Sequence, residues 1–344
     1  MQTTIYQKQD LKKSKVKKHI ETVFHQGGLV VFPTETVYGI GANATNKDAV
    51  NRIFQAKGRP SDNPLIVHLS HRNDLTEYVK NIPDIAYTLI DQFWPGPLTL
   101  IFEKNEKIPY EVTGGLDTVA IRIPDHGVAL DVIHISKCPV CAPSANVSGK
   151  PSSTLFEHVV QDFDGKVDII INGGKTKIGL ESTVLDITLP IPTILRPGSI
   201  TQKMIEIALN TGIIDGSEVD ISDIPKSPGM KYTHYKPKGS IYLVDGKMDQ
   251  VIEYINSKIE LTDESKSAVI CVDEYMSQIQ ARYKINLGHM HDLNEIASNI
   301  FIALRQMDAL DIETIYIPTL PVDDIGRAIM NRLSKAASYQ IIKL

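Results

Sequence analysis

The chain reads as an α/β protein of two domains joined by a long linker, and three observations carry that reading. With 344 residues it is longer than one small domain needs. Short apolar runs of strand type alternate with segments whose apolar residues recur at helical spacing. That alternation fails once, between Gly212 and Gly239, and then resumes. The expected division is a first domain over 1–211, a linker over 212–239 and a smaller α/β domain over 240–344.

Taken in order, Leu11, Val16, Ile20, Val23 and Phe24 mark the apolar face of a first helix. Lys12, Lys13, Lys15, Lys17 and Lys18 interleave with them and read as its solvated face rather than an RNA-binding arm. Gly27-Gly28 ends the helix. Leu29 to Phe32 is a buried-strand run that Pro33 stops, since proline has no N–H for the next rung. Thr34, Glu35, Thr36 and Tyr38 follow directly, with Gly39 and Gly41 behind them. Hydrogen-bonding side chains between a core strand and a glycine turn predict a ligand loop, because open α/β sheets bind at strand ends.

Thr45 or Asn46 caps a second helix whose Ala49, Val50, Ile53 and Phe54 share one face. Gly58 and Pro60 terminate it and leave Lys57 and Arg59 at a helix end. Pro64 to Leu69 is a strand with His68 near its end, Asp84 to Phe93 a helix, and Leu98 to Phe102 a strand. Thr118 to Ile123 alternates so as to place Arg122 on one face. A short strand over Pro139 to Ala142 runs into Pro143-Ser144-Ala145-Asn146-Val147-Ser148-Gly149, a second small polar loop. A helix from about Thr154 and strands over Val167 to Ile171, Glu181 to Asp186 and Thr193 to Arg196 precede a closing helix, Thr201 to Leu209. Beyond the linker the pattern predicts strands near Ile241, Ala268 and Ile315, and helices from Met248, Leu293 and Ile325.

Composition limits function. An apolar share of 42% and a charged share of 22% belong to a globular protein with a real core. The formal net charge of −5 offers no global attraction to nucleic acid or membrane. No run approaches the ~20 apolar residues of a membrane span, and the N-terminus lacks a signal-peptide core, so a cytoplasmic location is expected. Cys138 and Cys141 form a Cys-x-x-Cys, but a structural zinc needs four ligands and only Cys271 remains, so both read as buried cysteines around a strand.

Lys57, Arg59, Arg122 and Arg196 all fall at element ends, beside hydroxyl-bearing loops. Guanidinium forks and backbone amides suit a polyphosphate. The chain has neither a P-loop nor a dinucleotide fingerprint, and no Gly-x-Ser-x-Gly elbow. From the residues alone the reading stops at an α/β enzyme with an anion site, a lid and a second domain.

Pro33-Thr34-Glu35-Thr36-Val37-Tyr38-Gly39, Lys57-x-Arg59 and Ser144-x-Asn146 together resemble the YrdC-like family. Ser227-Pro228-Gly229-Met230, His234-Tyr235-x-Pro237 and the segment Gly326 to Leu333 resemble its long, two-domain form. The resemblance spans nearly the whole chain. It implies a twisted mixed sheet with flanking helices, followed by a smaller Rossmann-like domain. It also implies a nucleotidyltransferase that joins L-threonine, bicarbonate or CO2, and ATP with Mg2+ into threonylcarbamoyl-AMP and pyrophosphate. Other proteins then move the threonylcarbamoyl group to a tRNA adenosine beside the anticodon. Carried over, it places L-threonine at Thr36, His68, Arg122, Ala142 and Ser182. ATP falls to Lys57, Arg59, Asn63, Thr118, Ser144, Asn146, Ser152, Arg196 and Tyr235, with Lys57 and Arg59 as the catalytic pair. Met230 to Pro237 would close over the nucleotide, and alanine at Lys57 or Arg59 is expected to remove most activity while leaving the fold intact.

Two other readings compete. Single-domain relatives have been linked to double-stranded RNA through a basic face, which the acidic balance here disfavours. A carbamoyl transferase of metal-centre maturation uses a related domain, but normally with zinc-finger cysteines and an acylphosphatase-like region that this chain lacks.

Overall fold

The computed structural model describes residues 2–61, 63–217 and 235–344. They form two compact units. The first holds residues 2–61, 63–148, 153–177 and 181–217, and the second holds 149–152, 178–180 and 235–344. Two short pieces of the expected first domain, 149–152 and 178–180, therefore group with the second unit.

The first unit runs β1 (Thr4–Gln7), α1 (Ser14–His25), β2 (Val30–Pro33), β3 (Tyr38–Asn43), α2 (Lys47–Lys57), β4 (Ile66–His68) and α3 (Asp84–Phe93). It continues with β5 (Leu98–Glu103), α4 (Tyr110–Thr113), β6 (Thr118–Arg122), α5 (Gly127–Ser136), β7 (Val140–Cys141) and α6 (Phe156–Phe163). β8 (Ile169–Asn172), β9 (Thr183–Asp186), β10 (Thr193–Arg196), α7 (Gln202–Leu209) and β11 (Ile214–Asp215) complete it. The strands make one mixed sheet in the order β1-β8-β2-β3-β7-β4-β6-β5-β9-β10-β11.

Several expectations needed correction. Gly39 and Gly41 do not form a turn after the polar residues. Tyr38 to Asn43 turns straight back as β3, antiparallel to β2 with Val30 opposite Gly41 and Phe32 opposite Gly39. Glycine is required at Gly41 because a Cβ there would lie 2.7 Å from the Phe32 ring and 2.8 Å from Val140. Tyr38 is wholly buried, and its hydroxyl donates to Gly174 O at 2.7 Å, so it ties the hairpin to the loop after β8 instead of facing a ligand. α5 and β1 were not anticipated. α5 is apolar on nearly every side, with Ala129, Val132, Ile133 and Ile135 all buried, and so shows little helical periodicity.

Elsewhere local chemistry accounts for the elements. The Asn46 side chain accepts from the Asp48 and Ala49 amides and caps α2, and Gly58 ends that helix at φ 61°.

One face of the sheet is covered over most of its width. Residues of α2, α3, α4, α6 and α7 pack there on Val31, Ile40, Val67, Leu100, Ile121 and Leu185. The other face is covered only in part. α1 and α5 lie over β8, β2 and β7, against Ile169, Ile171, Val30, Phe32 and Val140. Over β4, β6, β5, β9 and β10 that face holds a small cluster of Ile66, Ala120, Ile101, Val184 and Leu195, all strand residues.

The second unit is built on five parallel strands in the order β14-β13-β15-β12-β16. Its elements are β12 (Ser240–Asp245), α8 (Met248–Glu260), β13 (Ser267–Cys271), β14 (Tyr283–Asn286), α9 (Leu293–Ala309), β15 (Thr314–Pro318), α10 (Ile325–Ala336) and β16 (Ile341–Lys343). The edge strands β14 and β16 alternate half-buried with exposed residues and escaped the apolar-run criterion. No helix among the described residues is long and apolar enough to cross a membrane.

Candidate active site

The site follows from the half-covered face. Successive strand residues point to opposite sides, so His68 shares a face with Ile66, Arg122 with Ala120, Thr99 with Ile101, and Ser182 with Val184. Arg196 would point the other way by simple alternation. The register between β10 and β9 slips between Ile194 and Arg196, bringing Arg196 opposite Val184 and onto the same face. A bulge therefore decides the direction of one of the predicted cations.

Arg122 ends β6 beside His68, its register partner in β4. It is 3% exposed, and its guanidinium is held on three sides. Nε donates to Gly96 O at 3.1 Å, Nη1 donates to Thr36 Oγ1 at 3.0 Å, and Nη2 pairs with the Glu35 carboxylate. Thr34 builds the turn that presents these two residues. Its hydroxyl donates to Val37 O at 2.7 Å and lies 2.8 Å from Thr36 Oγ1. His68 Nδ1 lies 3.1 Å from Ile66 O. Burial, reinforced by the Arg122 charge, pushes its pKa down to about 3, so the ring is neutral.

A second group sits two strands along. Thr99 Oγ1 is 2.8 Å from Ser182 Oγ, and Arg196 donates from Nη2 to Ser182 Oγ at 3.1 Å and from Nε to Ser182 O at 3.0 Å. Thr99 was missed by sequence reasoning. Its only signal is a threonine inside the otherwise apolar run Leu98 to Phe102.

The third group joins the Lys-x-Arg and Ser-x-Asn pairs. Lys57, at the last turn of α2, donates to Ser144 O at 2.5 Å and to Asn146 O at 2.7 Å. Ser144 Oγ donates to Asn146 Oδ1 at 2.6 Å. The loop also bridges back to β3, with Gly39 opposite Ser144 and the Ala145 amide on Tyr38 O. Ala142 lies just past β7, its amide on Ile66 O at 2.9 Å. Arg59 follows the left-handed Gly58 and is partly buried.

Asn63 and Thr118 stand at the starts of β4 and β6, the ends opposite to His68 and Arg122. Asn63 is fully buried, and its side-chain amide has no hydrogen-bond partner among the described residues. A buried amide in that condition suits a ligand. Ser152 and Tyr235 belong to the second unit. There Tyr235 stacks on Phe301 at 5.0 Å between centroids, and Arg332 lies 5.8 Å from its ring. Arg305 donates twice to Pro151 O, next to Ser152, and the Lys236 amide donates to Gly149 O. Residues 218–234 of the expected linker, and with them 230–234 of the expected lid, lie outside the described residues.

Of the cysteines, Cys141 is a buried residue of β7 and Cys138, just before it, is half-buried. Burial raises both thiols above their ordinary range, Cys138 to about 11, so neither is a thiolate. Among the described residues no group of three or more His, Cys, Asp or Glu could hold a metal ion. The site is instead a set of N–H and O–H donors around buried guanidinium groups, with one carboxylate. Such a set can grip carboxylate and phosphate oxygens together.

Comparison with known proteins places the chain in a family. The family model Sua5_yciO_yrdC, described as "Telomere recombination", matches residues 22–198, and Sua5_C, described as "Threonylcarbamoyl-AMP synthase, C-terminal domain", matches 200–338. The threonylcarbamoyl-AMP synthase of Pyrococcus abyssi is 45% identical over 93% of each chain. That of Bacillus subtilis is 43% identical over 93% of this chain and 92% of its own. The crystal structure of P. abyssi Sua5 complexed with L-threonine superposes with a TM-score of 0.90 at 41% identity, covering 100% of both chains. Matched through both domains, and at this identity along nearly its whole length, the chain belongs to the Sua5/YrdC family in its two-domain form.

Proposed function

We propose that the chain is an L-threonylcarbamoyladenylate synthase, forming threonylcarbamoyl-AMP and pyrophosphate from L-threonine, bicarbonate or CO2, and ATP. The supporting observation is the Arg122 cluster. A buried guanidinium held by Gly96 O, Thr36 and Glu35 keeps an N–H on each terminal nitrogen, the fork that an amino-acid carboxylate fits. His68, Ala142 and Ser182 would line the rest of the threonine pocket.

The nucleotide would sit by the Ser144-Ala145-Asn146 loop, with Asn63, Thr118 and Arg196 also contacting it. Ser152 and Tyr235 are assigned to it by family resemblance. The carbamate oxygen attacks the α-phosphorus, and negative charge grows on the departing pyrophosphate. Arg59 and Lys57 would meet that charge, and one well-placed donor of this kind is worth about 3 kcal/mol. Mg2+ would enter as the counter-ion of ATP. Residues 230–237 would exclude water from the labile intermediate, and deletion of 227–237 with unchanged turnover would remove that role. The product would pass to proteins that modify tRNA.

The test is to mix the protein with ATP, Mg2+, bicarbonate and L-threonine and to measure pyrophosphate. Release should require threonine and bicarbonate together. Release independent of threonine would overturn the proposal, as would salt-sensitive binding of double-stranded RNA without turnover.

A further inference from the structure

We propose that Glu35 receives the α-ammonium group of the amino-acid substrate and accepts the proton whose loss makes the amine a nucleophile. The inference rests on the function proposed above and adds a catalytic base to it.

Glu35 is 4% exposed and lies between Thr34 and Thr36 in the turn that meets Arg122. One carboxylate oxygen, Oε1, pairs with Arg122 Nη2, while Oε2 has no hydrogen-bond donor among the described residues. A buried carboxylate oxygen without a donor is costly, and a ligand donor relieves that cost. Among the described residues, Glu35 is the carboxylate that pairs with Arg122. An amino acid brings a carboxylate and an ammonium on the same carbon. A guanidinium and a carboxylate held side by side are the complement of that zwitterion.

The neighbouring titratable groups leave Glu35 as the acceptor. Arg122 cannot take a proton. His68, beside Arg122 on β4, is a neutral ring with Nδ1 on Ile66 O, and burial together with the Arg122 charge opposes its protonation. His126, just after β6, is held down in pKa by burial, against the raising charges of Glu35 and Asp125 and with Lys8 lowering it further.

The step balances. The ammonium gives one proton to Glu35, leaving a neutral amine and a neutral carboxylic acid. The amine lone pair forms an N–C bond to bicarbonate. The C–OH bond breaks, and hydroxide leaves as water with a second amine proton, giving the carbamate.

The test compares wild type with Glu35→Gln, which keeps size and polarity but accepts no proton. Threonine-dependent pyrophosphate release should fall about a hundredfold near neutral pH. The deficit should narrow as pH rises toward the range where free threonine loses its own proton, because solution then supplies the amine. Wild-type turnover in Glu35→Gln would overturn the proposal. So would a deficit that stays constant with pH, which would make Glu35 only a support for Arg122. A second measurement needs no variant: wild type should bind 2,3-dihydroxybutanoate, with a hydroxyl in place of the ammonium, at least about tenfold more weakly than L-threonine. Equal binding would overturn the proposal. A wild type that never releases pyrophosphate with threonine would instead remove the functional reading beneath it.

Discussion

Lys57 Nζ lies 2.7 Å from the carbonyl oxygen of Asn146, so the lysine that ends α2 fastens a loop 89 residues farther along the chain. With Ser144 O as a second acceptor, the ammonium joins the two paired motifs into one object. This corrects the expectation that alanine at Lys57 would leave the fold untouched. At 2% exposure the side chain cannot be removed without taking a donor away from both carbonyls. Lys57→Ala should cost about 1–3 kcal/mol of stability as well as most of the activity. Arg59→Ala, at a partly exposed position, should lose about a hundredfold in rate with little change in melting temperature. Thermal melts alongside pyrophosphate release separate the two cases, and equal melting temperatures would deny Lys57 its anchoring role.

Arg122→Lys tests geometry at constant charge. A lysine has no planar fork and cannot serve Gly96 O, Thr36 and Glu35 while keeping a matched pair of N–H groups for a carboxylate. Its KM for threonine should rise at least about tenfold. An unchanged KM would place the carboxylate elsewhere.

His68 gives a pH signature. Its folded pKa is depressed to about 3 by burial and the Arg122 charge, whereas the unfolded ring titrates near 6.5. The stability this contributes is present above the unfolded value and is lost as pH falls toward the folded one. Between pH 6.5 and about pH 5 the loss should be about 2 kcal/mol. Denaturant melts at the two pH values should show that loss in wild type and a smaller one in His68→Gln. Identical pH dependence in both would mean that His68 titrates freely.

Gly41→Ala should destabilise by about 1–3 kcal/mol, since its Cβ would press on Phe32 and Val140 from within the sheet. Gly39→Ala should cost less, its nearest contact being the Ala142 methyl at 3.3 Å. Chemical denaturation of the two variants orders them, and the reverse order would show that the hairpin has shifted.

Much of this protein was legible in contiguous residues. Asn46 as a cap, Gly58 as a stop and the apolar faces of α2 and α3 depend on neighbours within a few positions, and the chain spells them out. The site residues were also legible as types, because cations and hydroxyls at element ends are rare enough to notice. Tertiary structure alone decided what each of them touches. Glu35 meets Arg122 across β7 and β4, Thr99 meets Ser182 from a different strand, and a register slip turns Arg196 toward them. Strand order and register follow from burying the apolar residues of many strands at once. Helix caps and periodic faces are settled within a few residues, so sequence alone could determine them.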